Sequence, residues 1–125
     1  MSASSAKGRT LELRIAAEIR RKGLDRGAKR MHRSGGIDHR KGDVFTSLPY
    51  SFEVKNQERV QLWDFWTQAS NQARLGRPPV LVVSGEHRPI LAVVELNTLL
   101  DLLAIELDYL ADVPERPALK QKEAK

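Results

Sequence analysis

The stretch Asp43-Val44-Phe45-Thr46-Ser47-Leu48-Pro49-Tyr50-Ser51-Phe52-Glu53-Val54-Lys55-Asn56, DVFTSLPYSFEVKN over residues 43–56, decides how the chain is read. Its β-branched and aromatic residues favour extended backbone, and Ser47-Leu48-Pro49-Tyr50 breaks it in the middle. An antiparallel hairpin is predicted, with strands over 43–46 and 51–56. Successive side chains of a strand point to opposite faces, so Phe52 and Val54 share one face and Glu53 and Lys55 the other. Asp43 lies on the partner strand. Directly opposed side chains of a strand pair come within ~4.5–5.5 Å at Cβ.

Two carboxylates that close are costly without a cation between them. Mg²⁺ serves well, because it takes oxygen ligands, commonly one or two carboxylates plus waters. Lys55, on the face of Glu53, can polarise a metal-bound water or stabilise a pentavalent phosphate. The plain alternative is a solvated strand face carrying an ion pair, which would contribute only ~0–1 kcal/mol.

Upstream of the hairpin, Leu11, Ile15 and Ile19 recur every four residues with Ala16 beside them, and Gly23 follows. That pattern predicts an amphipathic helix over 7–22 after a frayed leader. A short basic strand is predicted within 27–33, then a loop over 34–42 with three glycines. Downstream, residues 60–75 predict a helix with Val60, Trp63, Trp66 or Thr67, and Ser70 on one side, stopped by Gly76 and Pro78-Pro79. The apolar run 79–84 predicts a buried strand, 89–94 a second, and 96–110 a leucine-rich helix. The order α-β-β-β-α-β-β-α describes a mixed sheet flanked by helices, an α/β or α+β domain over 1–112. Residues 113–125 carry proline and charge without periodicity and predict a flexible tail.

The chain has 125 residues, 41% hydrophobic and 30% charged, and no cysteine. Disulfides, thiolate metal sites and a cysteine nucleophile are thereby excluded. No apolar run approaches the ~20 residues a membrane helix needs, and the N-terminus lacks a signal-type apolar core. A soluble, cytoplasmic protein is expected. Net charge is +5, but residues 1–41 hold 12 Lys/Arg against 4 Asp/Glu, and the remainder 9 against 12. A basic N-terminal third suits a polyphosphate partner, because cations displace condensed counterions. It equally suits a solvated surface.

Asp43 followed ten residues later by Glu53-Val54-Lys55 resembles the PD-(D/E)XK nuclease superfamily. The hairpin, helix and buried strand are similar in succession to its restriction-endonuclease-like αβββαβ core. Within the superfamily the chain looks most like archaeal-type Holliday junction resolvases, from about Lys7 to Val83. Lys7-Gly8-Arg9-Thr10-Leu11-Glu12 resembles the start of that family's first helix, and Arg33-Ser34-Gly35 its basic loop before the aspartate. Gly42 stands where the motif often has proline.

The resemblance implies a metal-dependent DNA endonuclease that leaves a 5′-phosphate and a 3′-hydroxyl. Asp43 and Glu53, aided by Glu12 and the Val54 carbonyl, would bind Mg²⁺, with Mn²⁺ able to substitute, and Lys55 would orient the attacking water. Lys7, Arg9, Arg30, Arg33, Ser34, Arg40 and Lys41 would hold DNA phosphates. Symmetric cutting of a four-way junction implies a C₂ homodimer, for which the strand 90–94 and the helix 97–110 offer apolar surface. Two other readings stay open: a restriction-like, nicking or repair nuclease of a phage or mobile element, and a non-catalytic DNA-binding module. Glu18 competes with Glu12, and Gln68 and Gln72 can face the site or solvent. His32 and His39 lack metal-ligand spacing, Asp38 suits a turn, and Trp63, Phe65 and Trp66 suit core or interface.

Overall fold

Leu11, Ile15, Ala16 and Ile19 are all buried, and they form the inner stripe of helix α1 (Ala3–Arg21). The computed structural model describes residues 3–31 and 43–112. The helix starts earlier than its apolar spacing predicts, since Ala3 to Ala6 continue it. It ends at Gly23, whose φ of 74° is accessible to glycine without strain. The Leu24 N–H then reaches back to the Ile19 carbonyl at 3.1 Å, satisfying an end carbonyl of the helix.

Strands β1 (Lys29–Arg30), β2 (Val44–Phe45), β3 (Ser51–Asn56), β4 (Pro79–Ser84) and β5 (Leu91–Val93) form one sheet in chain order. β1, β2 and β3 pair antiparallel, β3 and β4 parallel, and β4 and β5 antiparallel. Helix α2 (Leu62–Gln72) makes the crossover that the parallel pair requires. The predicted element order holds, and the αβββαβ succession lies within it.

The pleat sorts the sheet's side chains into two cores. Val44, Val54, Val80 and Val82 join the α1 stripe and Ala28 on one face. Leu81 and Val83 pack with Phe65 and Ala69 of α2 on the other. This corrects the face expected for α2: Phe65 and Ala69, four apart, are buried, while Trp63 is 76% exposed and Val60 45%. A helix lying close on a sheet needs a small residue at the contact, and Ala69 supplies it. Trp66 packs partly against this second core.

The chain divides after Val94. Beyond it, α3 (Leu96–Asp112) is a separate apolar helix with no buried residue. Leu96, Leu100, Leu103, Leu107 and Leu110 follow one another at steps of four and three, a leucine at every seam position of a coiled coil. Asp101, Asp108 and Asp112 lie off that stripe, Glu106 flanks it, and the helix has no Lys or Arg. Among the described residues no helix is long and apolar enough to cross a membrane.

Candidate active site

At the open end of the hairpin the ladder is irregular. Val44 is opposed to Phe52, yet the Asp43 N–H also donates to the Phe52 carbonyl, at 2.7 Å. Asp43, just before β2, and Val44 thus both face Phe52 of β3, the count of a β-bulge, a device that re-aims a side chain. The Asp43 carbonyl is taken by the Met31 N–H at 2.9 Å. Its carboxylate turns to β3, where Oδ2 accepts the Val54 N–H at 2.7 Å. The carboxylate therefore replaces a ladder carbonyl and sits at the backbone between Glu53 and Lys55.

Glu53 is 8% exposed, so the solvated ion pair is excluded as a reading of this strand. A buried carboxylate is expensive to desolvate, which makes its place beside Asp43 an invested one. In the parallel register Glu53 is level with Leu81 and Lys55 with Val83, both on the α2 face. The Lys55 ammonium stands 5.2 Å from the centroid of the Phe65 ring. Val54 points the other way, into the α1 core. The Asp43 carboxylate thus lies at the backbone between Glu53 and Lys55, whose side chains share the α2 face. The carboxylate oxygens of Asp43 and Glu53 are hard donors of the kind Mg²⁺ takes.

Glu12 lies elsewhere in its bonding. Its Oε1 accepts from Arg30 Nε at 2.7 Å, and the two side chains are 14% and 31% exposed. Arg30 is level with Val44, on the α1 side of the sheet. Among the described residues no three carboxylate or histidine side chains gather at a spacing that would hold a metal. Lys7 and Arg9 are exposed on the first turns of α1, and the Lys7 carbonyl accepts from Asn56 Nδ2 at 3.3 Å. Gln68 and Gln72 are exposed, and Glu18 pairs with Arg21 at 2.8 Å. Arg33, Ser34, Arg40 and Lys41 lie outside the described residues, as do His32, Asp38 and His39.

One residue that sequence reasoning passed over braces the hairpin. Asp25 Oδ2 accepts the Ser47 N–H at 2.7 Å and Oδ1 the Gly27 N–H at 2.9 Å. These two bonds, Ser47 first, hold its carboxyl below the ordinary range. The only local signal is an aspartate two residues before a glycine, the pattern of an Asx turn.

Comparison with curated proteins and with solved structures gives no match to the chain. Comparison with protein families does: the family described as phage putative PDDEXK endonuclease matches residues 3–112. That span takes in α1, the Asp43–Glu53–Lys55 hairpin, the crossover and α3. The chain belongs to this family of PD-(D/E)XK endonucleases.

Proposed function

We propose that the protein is a divalent-metal-dependent DNA endonuclease that hydrolyses phosphodiester bonds in four-way junctions as a homodimer. The observation that carries the reading is the Asp43 carboxylate fastened to the Val54 amide, which sets it beside buried Glu53 and half-buried Lys55 on one sheet face. Asp43 and Glu53 would hold Mg²⁺, or Mn²⁺ in its place, with the Val54 carbonyl beside them. Glu12 would join them by turning from Arg30. Bound there, the metal would lower the pKa of a water and steady charge on the phosphate oxygens.

The protein's own groups do the rest. Lys55, held against Phe65, orients the attacking water and offsets charge on the phosphate. Lys7, Arg9 and the basic segment 33–41 hold the phosphate backbone without reading bases. The leucine seam of α3 would join two protomers so that two sites meet two strands. The place of action would be the cytoplasm, that of the host if a phage encodes the protein.

The matched family, described as a phage endonuclease, favours a second reading, a restriction-like, nicking or repair endonuclease of a phage or mobile element, which would also cut linear duplex. Incubation with a synthetic four-way junction and with linear duplex, each with Mg²⁺, separates them. Paired symmetric cuts in the junction with little duplex cleavage support the resolvase; equal duplex cleavage supports the second. Binding without cleavage under Mg²⁺ and Mn²⁺ leaves a DNA-binding module. Glu53→Ala and Lys55→Ala should each abolish cutting and keep binding. Normal cutting by either would refute the site.

A further inference from the structure

Among the described residues, Phe45 gathers two cations. Lys29 Nζ stands 5.9 Å from the centroid of its ring and the Arg74 guanidinium carbon 5.4 Å. Lys29 is level with Phe45 across the β1–β2 pair. Arg74 arrives from the turn after α2, 29 residues further along the chain than Phe45. That turn is rigidly backed. The Arg77 N–H closes it onto the Arg74 carbonyl at 2.9 Å, and Gly76 takes the φ of 79° it requires. Arg77 Nη1 then fastens it to the Thr46 carbonyl at 3.0 Å, at the end of β2.

Two arginines on the α1 side have carboxylates of their own: Arg30 pairs with Glu12, and Arg21 with Glu18. Among the described residues neither Lys29 nor Arg74 forms an ion pair with a carboxylate. Two like charges at one ring repel, and the ring attracts each only modestly. An anion within reach of both charges would relieve that repulsion.

The location says which anion. Val44 points into the α1 core, so Phe45, the next residue, is on the other face of the sheet, that of Glu53 and Lys55. Two strand residues span about 7 Å, and one DNA strand advances about 3.4 Å of helix axis per phosphate. A DNA strand with a phosphate at Asp43 and Glu53 would therefore carry another within reach of Phe45.

We propose that Lys29 and Arg74, gathered by Phe45, clamp a backbone phosphate of the bound nucleic acid one or two steps from the scissile bond. The assignment rests on the nuclease reading for its substrate, but its test needs no cutting. Binding of a fluorescent DNA duplex is measured without divalent metal across a range of salt, for the wild type and Lys29→Gln/Arg74→Gln.

The double variant is expected to bind at least about tenfold more weakly, with the slope of log affinity against log salt shallower by about 0.9, the change for one phosphate contact. Lys29→Arg should keep the wild-type slope. Arg21→Gln, which removes a carboxylate-paired charge, should also keep it. An unchanged affinity and slope in a double variant that melts at the wild-type temperature would overturn the clamp. An equal loss in Arg21→Gln would overturn it too, by showing a general charge effect. Should the wild type cut no DNA while the double variant loses binding, the clamp stands and the nuclease reading falls. If the wild type cuts and the double variant binds normally, the reverse holds.

Discussion

The Asp43 carboxylate accepts the Val54 N–H at 2.7 Å, so one side chain serves as candidate metal ligand and as the last rung of the β2–β3 pair. The two duties separate by substitution. Asp43→Asn keeps an oxygen acceptor and loses the charge; it should melt near the wild type and cut at least ~100-fold more slowly. Asp43→Ala loses both and should also lose about 1–2 kcal/mol of stability, because the Val54 amide is left without its acceptor. Chemical denaturation and single-turnover cleavage read the two effects apart.

Glu12 is bonded to Arg30 at 2.7 Å, and only metal dependence can reveal a second duty. If Glu12 turns to the metal during turnover, Glu12→Gln should raise the Mg²⁺ concentration for half-maximal cutting at least about tenfold. An unchanged requirement, with about 1 kcal/mol of lost stability, would leave it a structural role and no metal.

The Asp25 brace gives stability a pH dependence of known sign. Its carboxyl titrates below the ordinary value when folded, through the Ser47 and Gly27 amides. Its contribution is therefore complete above about pH 4, where the unfolded group is also ionised, and is lost as pH falls through the lower folded value. Denaturation midpoints measured from pH 7 down to 2 should decline less steeply in Asp25→Asn than in the wild type. Equal slopes would remove Asp25 from the account.

Leu81 is fully buried at the centre of the sheet beneath α2. Leu81→Ala should cost about 3 kcal/mol through lost contacts and a cavity. The urea midpoint should fall with little change in the slope of the transition.

Leucines at every seam position of α3, with none of its residues buried, give the proposed dimer a specific target. Leu100→Asp/Leu107→Asp should sediment as a monomer with unchanged melting of the sheet domain. A dimer that survives this double substitution would place the contact elsewhere.

The hairpin, the element order and the placing of Asp43 on the strand beside Glu53 were legible in the sequence because they depend on residues close in the chain. What was not legible depends on distance. The Glu12–Arg30 bond joins residues 18 apart, and no local pattern announces it. The bulge at Asp43 is an offset in pairing between strands, and composition carries no register. On α2 the two tryptophans dominate any hydrophobic reckoning. The helix nonetheless turns Phe65 and Ala69 inward, where they pack on Leu81 and Val83 of β4. Arg74 near Phe45 was hidden for the same reason.

The two halves of the proposed site differ in the span of chain each needs. Asp43 and Glu53 are ten residues apart, joined by a hairpin whose closure costs little. Lys29 and Arg74 are 45 residues apart and reach Phe45 only with β1 and the end of α2 both docked. The proposed grip on DNA thus depends on longer-range packing than the acid pair does, and a substitution that loosens β1 or the turn after α2 would weaken binding before it disturbed the acids.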